Sequence, residues 1–451
     1  MIKYVSPTGN DSNDGNSLTT PWKSLNYAFN KIVAGDVLYM RGGTYRTTFT
    51  TSANRHISIA NKSGTRDNPI TILPYNNEVP VLDLSNIGNS TASYCYILDI
   101  ANCNYLNIRG LTITKALQNK NGSPIWGFNI RNSSNCVFDN ITVSYVGGYG
   151  FAVQSGCNTL TFKNCDSHHN IDQYPNPGNN TPYENANGFG ITGSDGTDYE
   201  YNTATNITFD GCRAWNNADD GWDFFGWDGV ATINNCWSFY NGYTDAFGKL
   251  GNGQGFKTGP CIKDLSKTHL RTVTNCLAIK NRGNGFDQNG SLNTTIHWLY
   301  NNVAYQNGAL GFAYHGFPGV ANIFRNNIMY SNGNTWTGGV IVTGAIQDHN
   351  SWNGINVTNS DFASLDMSQL VSPRKTDGSL PDISFMTLSA TSKLIDKGID
   401  VGKAFSGSAP DIGYKETGAI IVPPPVEPPV ESPLQTIVIT ITGRDVKVAV
   451  K

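Results

Sequence analysis

The sequence predicts an all-β fold, a parallel β-helix solenoid with a short N-terminal capping helix. Three observations carry that prediction. Only 14% of the 451 residues are charged and 48 are glycine, whereas an ordinary soluble chain has about 25% charged residues and about 7% glycine. A helical or coiled-coil protein is excluded on that balance. A phrase also recurs along the chain: Asn or Gly, then Cys or Asn, then a small or apolar alternation leading to Gly-Phe. It stands at Asn135-Cys136, Asn164-Cys165, Gly211-Cys212, Asn235-Cys236, Asn275-Cys276, Asn301-Asn302 and Asn326-Asn327. Its successive spacings are 29, 47, 24, 40, 26 and 25 residues, a base period of about 24 with two long insertions. Finally, each period holds two or three short alternating runs, such as Thr159-Leu160-Thr161-Phe162 and Ala231-Thr232-Ile233-Asn234. Asn and Gly, which tolerate left-handed turns, separate them. Short strands at a fixed repeat, with no room for helices between them, stack as coils about 4.8 Å apart.

The elements follow in chain order. Trp22 to Val33 carries Leu25, Ala28, Phe29 and Ile32 at helical spacing, which suits a short amphipathic helix closing the open end of a solenoid. Coils then occupy most of a domain spanning residues 1–420. The nine cysteines, odd in number and without a C-x-x-C, provide neither a zinc site nor a complete disulfide framework. Stacked coil on coil, they are expected to form a mostly buried ladder, with the asparagines as a hydrogen-bonded one. Residues 421–433 read as a stiff Pro-rich spacer. In 434–451, two β-prone runs flank Gly443 as a hairpin, or as the stump of a further module.

Charge and hydropathy narrow the partners. With 31 basic against 34 acidic residues the net charge is −3, so no cationic footprint for nucleic acid or an anionic membrane is present. No run of about 18 apolar residues appears, and nothing is expected to span a bilayer. Met1-Ile2-Lys3-Tyr4 leads straight into the mature-looking sequence without a secretory leader. An exported protein would have lost its leader or left by another route.

Asp219-Asp220-Gly221-Trp222-Asp223 is the local exception in a chain so poor in charge. Three carboxylates within five residues repel one another unless a cation or water separates them. On spacing alone, a solvated Asp-rich turn and a calcium site both fit. About one coil on, Gly255-Phe256-Lys257 places a single lysine in a Gly-rich strand, which by itself reads as a surface lysine. One coil further stand Arg282 and Asp287. If the period holds, all three segments line one side of the cylinder. The insertions Asp166 to Glu184, Gly193 to Thr205 and Gly242 to Gly253 cluster there too, as loops over binding sites do. His168 and His169, adjacent in a strand, are expected on opposite faces and unable to share a metal. His269, His297 and His315 show no metal spacing. Trp215, Trp222, Trp227, Trp237, Tyr240 and Tyr243 surround the acidic strip, where sugar stacking and ordinary packing are both open.

These stretches, with Tyr4-Val5-Ser6-Pro7-Thr8-Gly9-Asn10-Asp11, Gly285-Phe286-Asp287-Gln288-Asn289 and Pro410-Asp411-Ile412-Gly413, resemble polysaccharide lyase family 9. The resemblance spans about residues 4 to 415. Its specific part is the pairing of Asp-Asp-Gly-Trp-Asp with Gly-Phe-Lys. It implies a right-handed parallel β-helix that cleaves pectate or rhamnogalacturonan by β-elimination. It also implies Ca2+ held by Asp219, Asp220 and Asp223, with Lys257 as Brønsted base. Asn187, in Ala186-Asn187-Gly188-Phe189, stands where the family has a fourth aspartate; its carbonyl oxygen is expected to serve, with Asp195 or Asp198 supplying the lost charge. Burial and calcium are expected to lower the Lys257 pKa to that of a usable base. Arg282, Asp287 and Trp222 are expected to bind the acidic polysaccharide, outside the cell or on a virion. Two other classes compete: a non-catalytic or virion-attached carbohydrate-binding β-helix, and a β-helix hydrolase with paired carboxylates and no lysine.

Overall fold

A computed structural model describes residues 1–47, 54–86, 94–118, 123–175, 181–191, 202–227, 229–246, 248–259, 269–290, 295–315, 321–333, 340–341, 344–418, 437–442 and 445–450. Three parallel sheets of 12, 10 and 10 strands are built from ten coils that give one strand to each sheet, with a further strand at either edge of the first. One such coil runs Asn158–Lys163 in the first sheet, Asp166–His168 in the second and Phe189–Gly190 in the third. The result is a right-handed parallel β-helix, the hand that parallel crossovers take. The main core fills the tube between the sheets.

Corners decide the register. Between the first and second sheets one residue per coil takes a left-handed backbone: Gly110, Asn140, Asn164, Gly211, Asn235, Asn275, Asn301 and Asn326, with φ from 50° to 67°. Asparagine and glycine reach that region at least cost. The next residue turns inward and builds a ladder. Cys212 N donates to Cys236 Sγ and Cys236 N to Cys276 Sγ, both at 3.4 Å. Cys276 N then donates to Asn302 Oδ1 and Asn302 N to Asn327 Oδ1, both at 3.0 Å. Eight described cysteines are buried and unpaired; Cys261 lies outside the described residues. Asn135-Cys136 does not belong to the series. Cys136 sits inside the strand Ser134–Asp139, opposite Leu160, and the corner of that coil is Asn140-Ile141.

The corner between the second and third sheets uses the same device with less regular residues. His169, Asn216, Tyr240, Lys280, Gln306 and Ser331 have φ from 48° to 58°. Each precedes an asparagine, and the amides link Asn170, Asn217, Asn241, Asn281, Asn307 and Asn332 through bonds of 2.8–3.0 Å. This overturns the expectation for the histidine pair. Because His169 occupies the left-handed corner, strand alternation stops at His168, and the two Nδ1 atoms lie 2.7 Å apart.

The third sheet begins with a glycine column that the Gly-Phe phrase encodes. A Cβ on Gly188, Gly221, Gly255 or Gly285 would fall 2.4–2.7 Å from the carbonyl oxygen of the next glycine in the column. Phe151, Phe189, Trp222, Phe256, Phe286 and Phe312 then stack inward at 4.6–5.0 Å. Strand alternation turns the following residues outward: Ala152, Gly190, Asp223, Lys257, Asp287 and Ala313 form one row by register.

The N-terminal end and one side face are covered. Ser24 caps the helix Leu25–Lys31 by accepting from Tyr27 N, while Asp11 of the opening motif accepts from Lys23 N and Ser24 N at 2.8 and 2.9 Å. Leu25, Ala28 and Phe29 are buried, and Asn26 Oδ1 accepts from Ser58 N in the first strand of the third sheet. After the strand Ile346–Asp348 the chain leaves the coils and packs over the second sheet. Phe362, Leu370, Phe385, Leu394 and Ile412 there form a second core with Trp237, Leu277, Val303 and Ile328. Ile437–Thr442 and Asp445–Val450 pair antiparallel; the Pro-rich stretch that precedes them lies outside the described residues. Among the described residues no helix is long and apolar enough to cross a membrane.

Candidate active site

The asparagine corner delivers the acidic residues. Asn217 is fixed in its ladder, and Asp219 and Asp220 follow within three residues, before the chain enters the strand Trp222–Asp223. All three carboxylates are buried, with exposures of 1%, 0% and 5% for Asp219, Asp220 and Asp223. One oxygen of each lies within 4.8 Å of the others. Backbone donors hold them: Asn252 N reaches Asp219 Oδ1 at 3.1 Å, Gln254 N reaches Asp220 Oδ1 at 2.7 Å, and Phe225 N reaches Asp223 Oδ1 at 3.0 Å.

Lys257, next to Asp223 in the outward row, puts Nζ 3.1 Å from Asp220 Oδ2 and 3.4 Å from Asp223 Oδ1. The contact with Asp220 Oδ2 is an ion pair without hydrogen-bond geometry, so that buried oxygen keeps no hydrogen-bond partner. Three carboxylates surround one ammonium, and the excess negative charge shows in their acidities. Burial, then Asp220, drives the Asp219 carboxyl well above the usual range. Burial, aided by Asp223 and opposed by Lys257, pushes Asp220 up to about 6. Oxygen-rich, anionic and partly unsatisfied, this donor set fits a hard divalent cation.

The expectation for Asn187 changes here. For Lys257, burial pulls the pKa down, but Asp220, Asp223 and Asp219 by themselves, without the charge of a cation, outweigh it and raise the value well above that of a free lysine. Asn187 does not turn its carbonyl to the carboxylates. Its Oδ1 accepts from Asp220 N at 2.8 Å, and its Nδ2 donates to Asp223 Oδ2 at 3.1 Å. The amide braces two acidic residues, presenting its oxygen to the Asp220 backbone and its nitrogen to the Asp223 carboxylate. Asp195 and Asp198 lie outside the described residues.

The expected sugar-binding residues divide. Trp222 is 0% exposed between Phe189 and Phe256, so it is a core residue and cannot touch a substrate. The error was one of strand alternation: the outward residue is its neighbour Asp223. Arg282 Nη1 donates to Leu250 O at 3.0 Å and also to Gly251 O, which pins the segment that supplies the Asn252 and Gln254 donors. Asp287 follows Lys257 in the outward row; it is buried and accepts from Asn284 Nδ2 and Asn289 N at 3.1 and 2.7 Å. Trp237 and Trp227 are buried, and Trp215 stacks on His168.

Sequence reasoning missed Asp172. Ala218 N donates to Asn170 O at 2.9 Å, and Asn170 lies below Asn217 in the ladder, so Asp172 is the coil equivalent of Asp219. It is buried, its Oδ1 has no hydrogen-bond partner, and burial pushes its pKa up to about 7. The repeated spacing of Asn170-Ile171-Asp172 and Asn217-Ala218-Asp219 was the available signal.

The architecture has close relatives. The family description "Pel9A-like, right handed beta helix region" matches residues 3–337. Pectate lyase L of Dickeya dadantii (strain 3937) is 32% identical over 420 residues, covering 92% of this chain and 90% of that protein. Pectate lyase PEL9 of Emericella nidulans is 28% identical over 404 residues, covering 85% and 91%. Among solved structures, that of pectate lyase Pel9A superposes with a TM-score of 0.74 at 30% identity over 92% of this chain and 96% of that one. A rhamnogalacturonan lyase gives a TM-score of 0.70 at 27% identity over 86% and 96%. This chain therefore belongs to the Pel9A-like right-handed β-helix family, polysaccharide lyase family 9, and is a polysaccharide lyase.

Proposed function

We propose that the enzyme cleaves a uronate-containing polysaccharide, of the pectate or rhamnogalacturonan type, by Ca2+-assisted β-elimination with Lys257 as the base. The observation that carries this reading is the Lys257 ammonium 3.1 Å from a buried triple-carboxylate cluster, on the outward row of the third sheet. The printed names of the relatives, pectate lyases and a rhamnogalacturonan lyase, support the substrate class. Asp219, Asp220 and Asp223 would hold the ion, with Asn187 bracing Asp220 and Asp223. Bound there, a divalent cation offsets the charge that keeps Lys257 protonated and masks the uronate carboxylate beside the weakly acidic C5–H. Lys257 Nζ then accepts the C5 proton. The electron pair left at C5 forms the C4–C5 double bond, and the C4–O bond breaks, its oxygen leaving with the bonding pair and taking a proton from water. Polymers of this class lie outside cells, which makes the extracellular space the expected place of work.

The test is a panel of acidic polysaccharides, with calcium or with chelator, read by ultraviolet absorbance of the unsaturated product. Lys257→Ala is expected to lower the rate by about 10²–10⁴-fold, the usual share of a general base, with an unchanged circular dichroism spectrum. Full activity in that variant removes Lys257 from the chemistry. Products without a double bond would replace elimination by hydrolysis.

A further inference from the structure

We propose that Arg55 and Arg131 form a second, distal subsite for a uronate carboxylate, so that the bound polymer lies along the solenoid axis toward the N-terminal end. The inference rests on the reading of the substrate as an acidic polysaccharide. The same row that holds Asp223 and Lys257 continues through Gly190, Ala152 and Asn129 to Asp99. Four strand spacings of about 4.8 Å put Asp99 about 19 Å from Asp223.

Asp99 is 0% exposed, and its role is to hold two arginines. Arg55 Nε donates to Oδ2 at 2.8 Å, Arg131 Nη2 to Oδ2 at 3.1 Å and Arg131 Nε to Oδ1 at 3.3 Å. Asn129 Nδ2 donates to Oδ1 at 2.7 Å. One carboxylate against two guanidinium groups leaves a net positive charge on this part of the face. The arginine side chains keep 38% and 30% exposure. Arg55 Nη1 also donates to Asn54 Oδ1 at 3.3 Å, whereas Arg55 Nη2 and Arg131 Nη1 have no protein acceptor among the described residues. Buried anchor and exposed planar donors are what bidentate capture of a sugar carboxylate requires.

The surface between the two sites suits sugar rings. Arg55 stacks over Tyr96 at 5.8 Å, Tyr96 meets Trp126 at 5.3 Å, and Trp126 stacks on Tyr149 at 4.9 Å with planes 17° apart. Tyr149 ends this line over Gly190, where an added Cβ would stand 3.1 Å from its ring. Gly190 is the register neighbour of Asp223. Half-buried Tyr96 and Trp126, with the small residues Ala152 and Gly190 beside them, make a low aromatic path joining the arginines to the acidic cluster. Aromatic faces of this kind pack against the apolar faces of sugars.

The experiment compares Arg55→Gln, Arg131→Gln and the double variant on polygalacturonate and on its trimer, which covers Lys257 without reaching Arg131. The ratio of kcat/KM for polymer to that for trimer is expected to fall about tenfold to hundredfold in the double variant, the loss of a charged hydrogen bond or two, through KM. Arg131→Lys should recover part of it. A merely structural ion network would lower both substrates equally, and an unchanged ratio overturns the subsite. Binding gives a readout independent of the chemistry. In gels containing polygalacturonate, the Lys257→Ala variant should be retarded, and adding the two Arg→Gln changes should abolish that retardation. Retardation that persists refutes the proposal. Failure of the wild type to make unsaturated product from any uronate polymer would instead refute the proposed reaction.

Discussion

At the scale of single residues, Asn187 is the informative departure. Its amide nitrogen donates to Asp223 and its oxygen accepts from Asp220 N, so it satisfies two acidic residues without adding charge. Asn187→Asp would add a carboxylate to a cluster in which burial and neighbouring carboxylates already drive Asp219 and Asp220 up, Asp220 acting on Asp219 and Asp223 on Asp220, and it would cost Asp223 a donor. Under chelator this variant is expected to be less stable than wild type by about 1–3 kcal/mol, the penalty for an unsatisfied buried group. With calcium it should gain more in melting temperature than wild type does, because ligand linkage scales with affinity. Equal calcium-induced shifts in the two proteins would contradict the bracing role. The acidic residues were legible because charge is scarce in this chain and theirs is concentrated, whereas Lys257, a surface lysine on its own pattern, was legible only through the family resemblance. The orientation of Asn187 was not, since which end of an amide faces a neighbour depends on a backbone donor from another coil. Trp222 shows the complementary failure. Motif adjacency placed it in the site, and alternation along a two-residue strand puts it in the core.

At the scale of elements, the asparagine ladder before the third sheet sets where the acidic corner stands. Asn241 Nδ2 donates to Ala214 O, Ser238 Oγ and Asn281 Oδ1, and its Oδ1 accepts from Asn217 N and Nδ2. Asn241→Ala leaves these partners unmatched at a fully buried corner. Several orphaned groups at about 1–3 kcal/mol each predict a loss of at least about 3 kcal/mol, read as a lower urea midpoint. The exposed stacked amide of Asn206 reaches Asn158 Oδ1 at 2.9 Å, and with its φ at 56° the same change there is expected to cost only the about 1–2 kcal/mol of a left-handed alanine. Similar losses at both positions would deny the ladder its structural weight. The first ladder was legible as Asn-Cys phrases because its left-handed residue is nearly always Asn or Gly. The second was hidden: its left-handed position holds His169, Tyr240, Lys280 and Gln306, residues no turn rule selects. The ladder behind them compensates the strain.

At the scale of the whole molecule, the segment after Asp348 is what the sequence concealed most completely. It lacks the coil period and is rich in Ser, Pro, Asp and Thr, so nothing in its pattern distinguished a covering layer from further coils. The closing motif, in the sequence only part of the family resemblance, docks this layer: Asn301 Nδ2 donates to Asp411 O and Gly413 O, and Ile412 is buried. The layer is clamped by Arg374. Its Nη2 reaches Asp166 Oδ1 at 2.6 Å, while Arg213 Nη2 reaches Asp166 Oδ2 at 2.8 Å, all three side chains being at most 10% exposed. Burial opposes ionisation of Asp166, but Arg374 and Arg213 prevail and hold it at about 2. As pH falls the unfolded chain takes up this proton first, near pH 4. The stability contributed by Asp166 is therefore present above that pH and lost as pH drops toward 2. Asp166→Asn, which leaves two buried guanidinium groups without a counter-charge, is expected to cost about 3–5 kcal/mol at neutral pH. The gap between the variant and wild type, followed as denaturant midpoints, should close between about pH 4 and pH 2 as the wild-type carboxylate becomes neutral. A gap that stays constant over that range would mean that the charge of Asp166 is not what clamps the layer.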